Sequence, residues 1–182
     1  MKHLLFTILA VGLIIFPNSI NAEEMLLLSL QEQVEDIHMP VVQADLVVVE
    51  KAARLMTLYK DRKSIRTYKI ALGRSPKGAK FRQGDRRTPE GFYTIDGRNP
   101  ESKYHLSLYV SYPNARDLEI AGLLKVPAGN GIALHGVSED YEWMGRFHTA
   151  LNWTDGCIAV TNEEIEEIWQ LVPDGTEIQI KP

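Results

Sequence analysis

Asn152-Trp153-Thr154-Asp155-Gly156-Cys157-Ile158-Ala159-Val160 holds the only cysteine of this 182-residue chain. Twenty-two residues earlier, His135-Gly136 closes the apolar stretch Ile132-Ala133-Leu134. The thiolate, not the thiol, attacks a carbonyl, so a reactive cysteine needs a base to take its proton. A glycine directly before it lets backbone N–H groups turn toward the oxyanion that forms. A small buried hydrophobe and a satisfied core histidine look the same in isolation. The surrounding pattern has to separate the two readings.

Outward from this stretch the chain reads as strands with a few helices. Leu46 to Glu50, Arg54 to Tyr59 and Ile65 to Leu72 are strand-like, with Lys60-Asp61-Arg62-Lys63 as a hairpin turn. Gly73 to Gly91 is long, basic and rich in Gly and Pro, the signature of a functional loop. Strands follow at Phe92 to Asp96 and Leu106 to Tyr112, a helix at Asn114 to Leu124, and a strand at Ile132 to His135. Thr161 and Glu164 match a capping box, and Ile165, Ile168, Trp169 and Val172 fall at i, i+3, i+4 and i+7. That helix ends at Pro173-Asp174-Gly175, and Glu177 to Lys181 is a last strand. The expected fold is mainly β with a few helices, an α+β chain of one domain from residue 45 to 182.

Residues 1–22 read as a secretory signal peptide: Lys2, an apolar run from Leu4 to Phe16, then Pro17-Asn18 and Ala22. The run is too short for an ordinary membrane-spanning helix. Residues 23–44 read as an N-terminal leader feeding the domain. The formal net charge is −4, one unit more negative once Lys2 is removed, which disfavours a nucleic-acid partner. One cysteine cannot make an intramolecular disulfide, so a free thiol in an exported chain calls for a chemical explanation. The histidines show no ligand spacing, and neither a metal nor a cofactor is expected.

Taken in order, Thr88-Pro89-Glu90-Gly91, Ser111-Tyr112-Pro113-Asn114, His135-Gly136 and Thr154-Asp155-Gly156-Cys157 resemble the L,D-transpeptidase catalytic domain, the YkuD-like family, over Asp45 to Lys181. The resemblance implies a β-sandwich-like fold and a cysteine enzyme acting on peptidoglycan stem peptides. It makes Cys157 the nucleophile and His135 the proton acceptor and donor. Gly136 would hold the histidine loop, and the amides around Gly156 and Cys157 would bind the oxyanion. An amine resolving the thioester gives a transpeptidase, and water gives a hydrolase.

Two positions depart from the family pattern, which commonly has histidine two before the cysteine and arginine or asparagine two after it. Here they are Asp155 and Ala159. Asp155 either faces away or orients a neighbour such as His135. The pattern is also similar to members that hydrolyse an attachment between a protein and peptidoglycan, so a wall-attached protein is a second candidate partner. Ser138 to Leu151 is expected to form a lid or crevice wall, with His148 on its surface. Trp153 could wall the acyl pocket, and Thr154 could hydrogen-bond the cysteine loop. Among the loop cations Arg82, Arg86 and Arg87, a forked guanidinium suits the free carboxylates of a stem peptide, and Arg87 is the candidate substrate-binding residue. The rival from another class is a noncatalytic cell-wall-binding domain. The sequence leaves the oligomeric state open.

Overall fold

The computed structural model describes residue 21, residues 23–27 and residues 41–182. The signal peptide expected over residues 1–22 lies, apart from residue 21, outside the described residues. The chain divides into a unit ending at Pro40 and a second from Val41 to Pro182. In the first, residues 23–27 are helical, and the Asn21 side chain accepts from Glu24 N at 2.8 Å while Asn21 N donates back to Glu24 at 3.2 Å. That reciprocal pair is a capping box.

The second unit is an eight-stranded mixed sheet in the order β3-β2-β1-β8-β4-β5-β6-β7. The strands are β1 (Leu46–Glu50), β2 (Leu55–Lys60), β3 (Lys63–Lys69), β4 (Gly91–Ser102), β5 (His105–Val110), β6 (Ala133–His135), β7 (Ile158–Ala159) and β8 (Glu177–Lys181). Two α-helices, α1 (Ala115–Leu123) and α2 (Asn162–Leu171), and a 3-10 segment (Glu139–Ala150) complete it. The expected mainly β fold is therefore present.

Local chemistry explains the ends of these elements. The turn between β2 and β3 is only Asp61-Arg62, both with positive φ (49° and 64°), which suits the twist of a tight hairpin. Both helices carry a full capping box, Asn114 with Asp117 on α1 and Thr161 with Glu164 on α2. Strand β4 is far longer than the stretch from Phe92 to Asp96 read as strand. Gly97, Asn99 and Pro100 look like loop residues, and the ladder absorbs them through register shifts against β5.

Strand β4 also joins the two halves of the sheet. Its first residues pair with β8, from Gly91↔Ile180 to Thr94↔Glu177, and the rest pairs with β5. The halves share one core in which Val47, Met56, Leu58, Ile95, Leu108, Leu134, Ile158 and Ile178 are almost fully buried. Ile165 and Ile168 of α2 enter the same core, and full burial of each stabilises by roughly 1.5–3 kcal/mol. Beyond β3 the chain stays extended and reaches the far edge of the sheet. Ala71 bridges Ala159 antiparallel, and Gly73 bridges Thr154. This strap brings the start of the basic loop against the cysteine loop.

Candidate active site

His135 ends β6, and Cys157 immediately precedes β7. The two strands run parallel, with Leu134 opposite Ile158 and His135 opposite Ala159. Side chains alternate along a strand, so Cys157, Ala159 and His135 share one face, while Leu134 and Ile158 point into the core. His135 thus lies opposite Ala159, two residues along the chain from Cys157. On the other side, Ala159 exchanges two 2.9 Å backbone hydrogen bonds with Ala71. Ala159 is fully buried opposite His135, so the small side chain belongs to the packing there.

The cysteine loop is closed on itself. Thr154 Oγ1 accepts from Gly156 N at 3.1 Å and donates to the Cys157 carbonyl at 2.7 Å. Gly156 has φ +137°, and a Cβ there would meet the Arg87 carbonyl oxygen at 2.6 Å, so only glycine fits. The Gly156 N–H, expected to face an oxyanion together with that of Cys157, is engaged by Thr154. The thiol is partly exposed and donates to the Gly131 carbonyl at 3.5 Å. Burial pushes its pKa up, an effect only partly opposed by a hydrogen bond from the Ala133 backbone and reinforced by the negative charge of Asp155.

The His135 ring is 2% exposed. Its Nδ1 lies 2.7 Å from the Gly136 carbonyl oxygen. A carbonyl only accepts, so Nδ1 carries the proton and Nε2 keeps a lone pair. Burial lowers the pKa to about 4, against a smaller upward effect of that carbonyl. Tyr104 stacks on the imidazole at 4.3 Å, and Trp153 meets it edge-on at 5.7 Å. Gly136 has no room for a side chain, since a Cβ would approach Asn162 Oδ1 to 2.4 Å. Burial thus keeps both the thiol and the imidazole uncharged near neutral pH.

Several expectations change here. Asp155 does not orient His135, whose Nδ1 proton goes to Gly136. Its carboxylate lies 3.3 Å from Arg74 and 3.9 Å from Arg86. The Arg87 guanidinium stacks on Phe81 at 5.3 Å and donates to the Ala79 carbonyl at 3.5 Å, and its backbone carbonyl lies against Gly156. Arg82 likewise stacks on Phe81. His148 is not a surface residue but 2% exposed. It accepts at Nδ1 from Trp153 Nε1–H at 3.4 Å, and its Nε2 is buried without a partner among the described residues. Trp143, in contrast, is 81% exposed.

Sequence reasoning missed Tyr104 and Arg74. Tyr104 sits in the turn of the unread β4–β5 hairpin, so no pattern pointed to it. Arg74 could have been found, because it follows Gly73 at the junction of strand and basic loop. That loop is rigidly built. Lys80 and Asp85 form a buried pair at 2.8 Å, and Asp85 also accepts from the N–H groups of Phe81, Arg82 and Arg87. Burial works against ionising Asp85, but these donors outweigh it and hold its carboxyl below the ordinary range. Lys51 Nζ donates to the carbonyls of Gly78 and Thr88 and to Glu90.

The chain matches the L,D-transpeptidase catalytic domain family (YkuD) over residues 44–180. It is 32% identical over 108 residues to YafK of Escherichia coli (strain K12), which carries a provisional L,D-transpeptidase designation. That match covers 58% of this chain and 36% of YafK, so the aligned part is about a third of the relative's length. Among solved structures, the helical cell shape determining protein Pgp2 from Campylobacter jejuni is similar at TM-score 0.59 and 26% identity, over 77% of this chain and 48% of Pgp2. The L,D-transpeptidase from Xylanimonas cellulosilytica shares the fold at TM-score 0.51 and 17% identity, over 84% of this chain and 69% of the other. The match spans the strap, the basic loop, the histidine and the cysteine loop alike, and on it the chain belongs to the L,D-transpeptidase catalytic domain (YkuD) family.

Proposed function

We propose that this chain is an exported cysteine acyltransferase that acts on peptidoglycan stem peptides through a Cys157 thioester. The observation that carries this reading is the arrangement of His135 beside the cysteine strand, with Nδ1–H held by Gly136 and Nε2 free to accept a proton. In the first half-reaction Nε2 takes the Cys157 proton as sulfur attacks the carbonyl carbon of the diamino acid residue. The oxyanion is met by the Cys157 N–H. Collapse breaks the peptide C–N bond, and His135 returns the proton to the departing terminal D-amino acid. An amine or water then attacks the thioester, giving its proton to His135, and the thiol is regenerated.

Family membership supports peptidoglycan stem peptides as the substrate class. The apolar N-terminal run after Lys2 supports export, and the likeness to Pgp2 supports a part in cell shape. No helix among the described residues is long and apolar enough to cross a membrane. The test is incubation of the purified protein with stem tetrapeptide muropeptides, read by mass spectrometry of both products and intact protein. The expected result is loss of the terminal residue and a mass adduct on wild type but not on Cys157→Ala. Untouched muropeptides and no adduct would instead support a noncatalytic wall-binding domain.

A further inference from the structure

We infer that Arg74 and Arg86 form a binding subsite for a substrate carboxylate beside Cys157, which the Asp155 side chain fills at rest. This rests on the stem-peptide reading above.

Arg74 is fastened along the three residues that precede Gly156. Its backbone N–H donates to the Thr154 carbonyl at 3.0 Å, its Nε to the Trp153 carbonyl at 3.0 Å, and its Nη1 lies 3.3 Å from Asp155. Arg86 is held from the other side. It has φ 58°, its carbonyl accepts from Ser75 N at 3.0 Å, and a Cβ on Gly73 would meet that carbonyl at 2.3 Å. Both guanidinium groups therefore hang from backbone fixed to the cysteine loop. A ligand group bound there would sit at a constant offset from the sulfur.

Charge and geometry point to an anion. Two guanidinium groups share one carboxylate, so the cluster keeps a net positive charge. A guanidinium has five N–H donors. Arg74 uses Nε and Nη1, and Arg86 approaches Asp155 only at 3.9 Å, so donor edges remain on both. All three side chains are half exposed or more, at 50%, 58% and 73%, which makes the Asp155 contacts weak, water-screened and replaceable. A carboxylate held as a fork by Arg74 would be a better partner than Asp155 at these distances. A stem peptide offers the carboxylates of its diamino acid residue and its terminal residue. The diamino acid side-chain carboxylate is the one that stays with the acyl group after the terminal residue has left with its own.

The test compares two synthetic stem tetrapeptides that differ only in whether the side-chain carboxylate of the diamino acid is free or amidated. Binding to full-chain Cys157→Ala protein is measured by calorimetry, and thioester formation on the wild type by intact mass. The acid should bind about tenfold more tightly than the amide, at low salt most clearly. In the Cys157→Ala background, Arg86→Gln and Arg74→Lys should each shrink that ratio. Asp155→Asn should enlarge it, a gain that misfolding cannot produce. Equal binding of acid and amide, or a ratio unmoved by all three substitutions, overturns the subsite even if the thioester forms. Discrimination in binding without any thioester on the wild type would keep the subsite and remove the proposed catalysis. Failure of both peptides to bind overturns both.

Discussion

His135 Nδ1 donates to the carbonyl oxygen of Gly136, its own neighbour in the chain, at 2.7 Å. Many catalytic histidines are oriented by a carboxylate. Here a neutral backbone group sets the tautomer, so no negative charge raises the basicity of Nε2. His135→Ala should lower the rate of acylation about 10²–10⁴-fold, read by the growth of the protein adduct in single-turnover mass spectrometry. An unchanged rate at neutral pH would move the base role elsewhere. Gly136→Ala should also fail, through the 2.4 Å approach to Asn162, and its loss should show as a lowered melting temperature.

Burial raises the thiol pKa and lowers that of the imidazole, so the resting pair is uncharged. The pH dependence of alkylation by a slow thiol reagent should therefore give an apparent value above the ordinary ~8.5 of cysteine. Asp155 acts in the same direction as burial. Asp155→Asn should move the titration to lower pH, and a shift to higher pH would contradict the electrostatic account.

The low pKa of His135 also makes the fold sensitive to acid. The unfolded chain takes up the proton near pH 6.5, whereas the folded chain resists until about pH 4. Between those values the unfolded state binds more protons, so stability falls as the pH is lowered through this window and is complete above it. The loss attributable to His135 is on the order of 3 kcal/mol. Urea midpoints measured from pH 7 to 4 should fall for the wild type and fall less for His135→Gln. Parallel curves would show that the ring is not held neutral.

Trp153 depends on His148, which lies on a different segment. The indole Nε1–H has His148 Nδ1 as its acceptor, and the ring stands edge-on to both histidines. His148→Phe keeps the bulk but removes the acceptor, at a cost of about 1–3 kcal/mol for the unsatisfied N–H. His148→Asn can restore an oxygen acceptor. The Trp153 indole N–H resonance should shift in the first variant and recover in the second, and recovery in neither would assign His148 a packing role alone.

The second half-reaction should favour water. An amine acceptor has to be aligned with the thioester carbonyl by binding, whereas water needs only access and a base. The histidine common in the family two residues before the cysteine, and the arginine or asparagine two after it, are here Asp155 and the fully buried Ala159. The ratio of free acid to cross-linked product, measured across a series of diamino-acid acceptor concentrations, is expected to stay above one at modest concentrations. Cross-links dominating there would make the chain an ordinary transpeptidase.

Local patterns carried a large part of this molecule. The capping box at Thr161, the apolar spacing of α2 and the turn around Asp61-Arg62 are short-range rules, and a few neighbouring residues satisfy them. The motifs from Thr88-Pro89 through His135-Gly136 to Gly156-Cys157, taken in order, likewise sufficed to suggest the chemistry through the family they resemble. The partners of those residues were not legible. His135 could have been oriented by Asp155 or by its own neighbour, and only the turn of the chain after β6 brings the Gly136 carbonyl to Nδ1. Arg74 lies against the cysteine loop because the strap from Ala71 to Gly73 is registered against Thr154 and Ala159, a pairing across some eighty residues. His148 looked like a surface residue until Trp153 covered it. Sequence determines which side chains can do chemistry and which segments are regular, whereas their distances, tautomers and burial arise from long-range packing that no local pattern encodes.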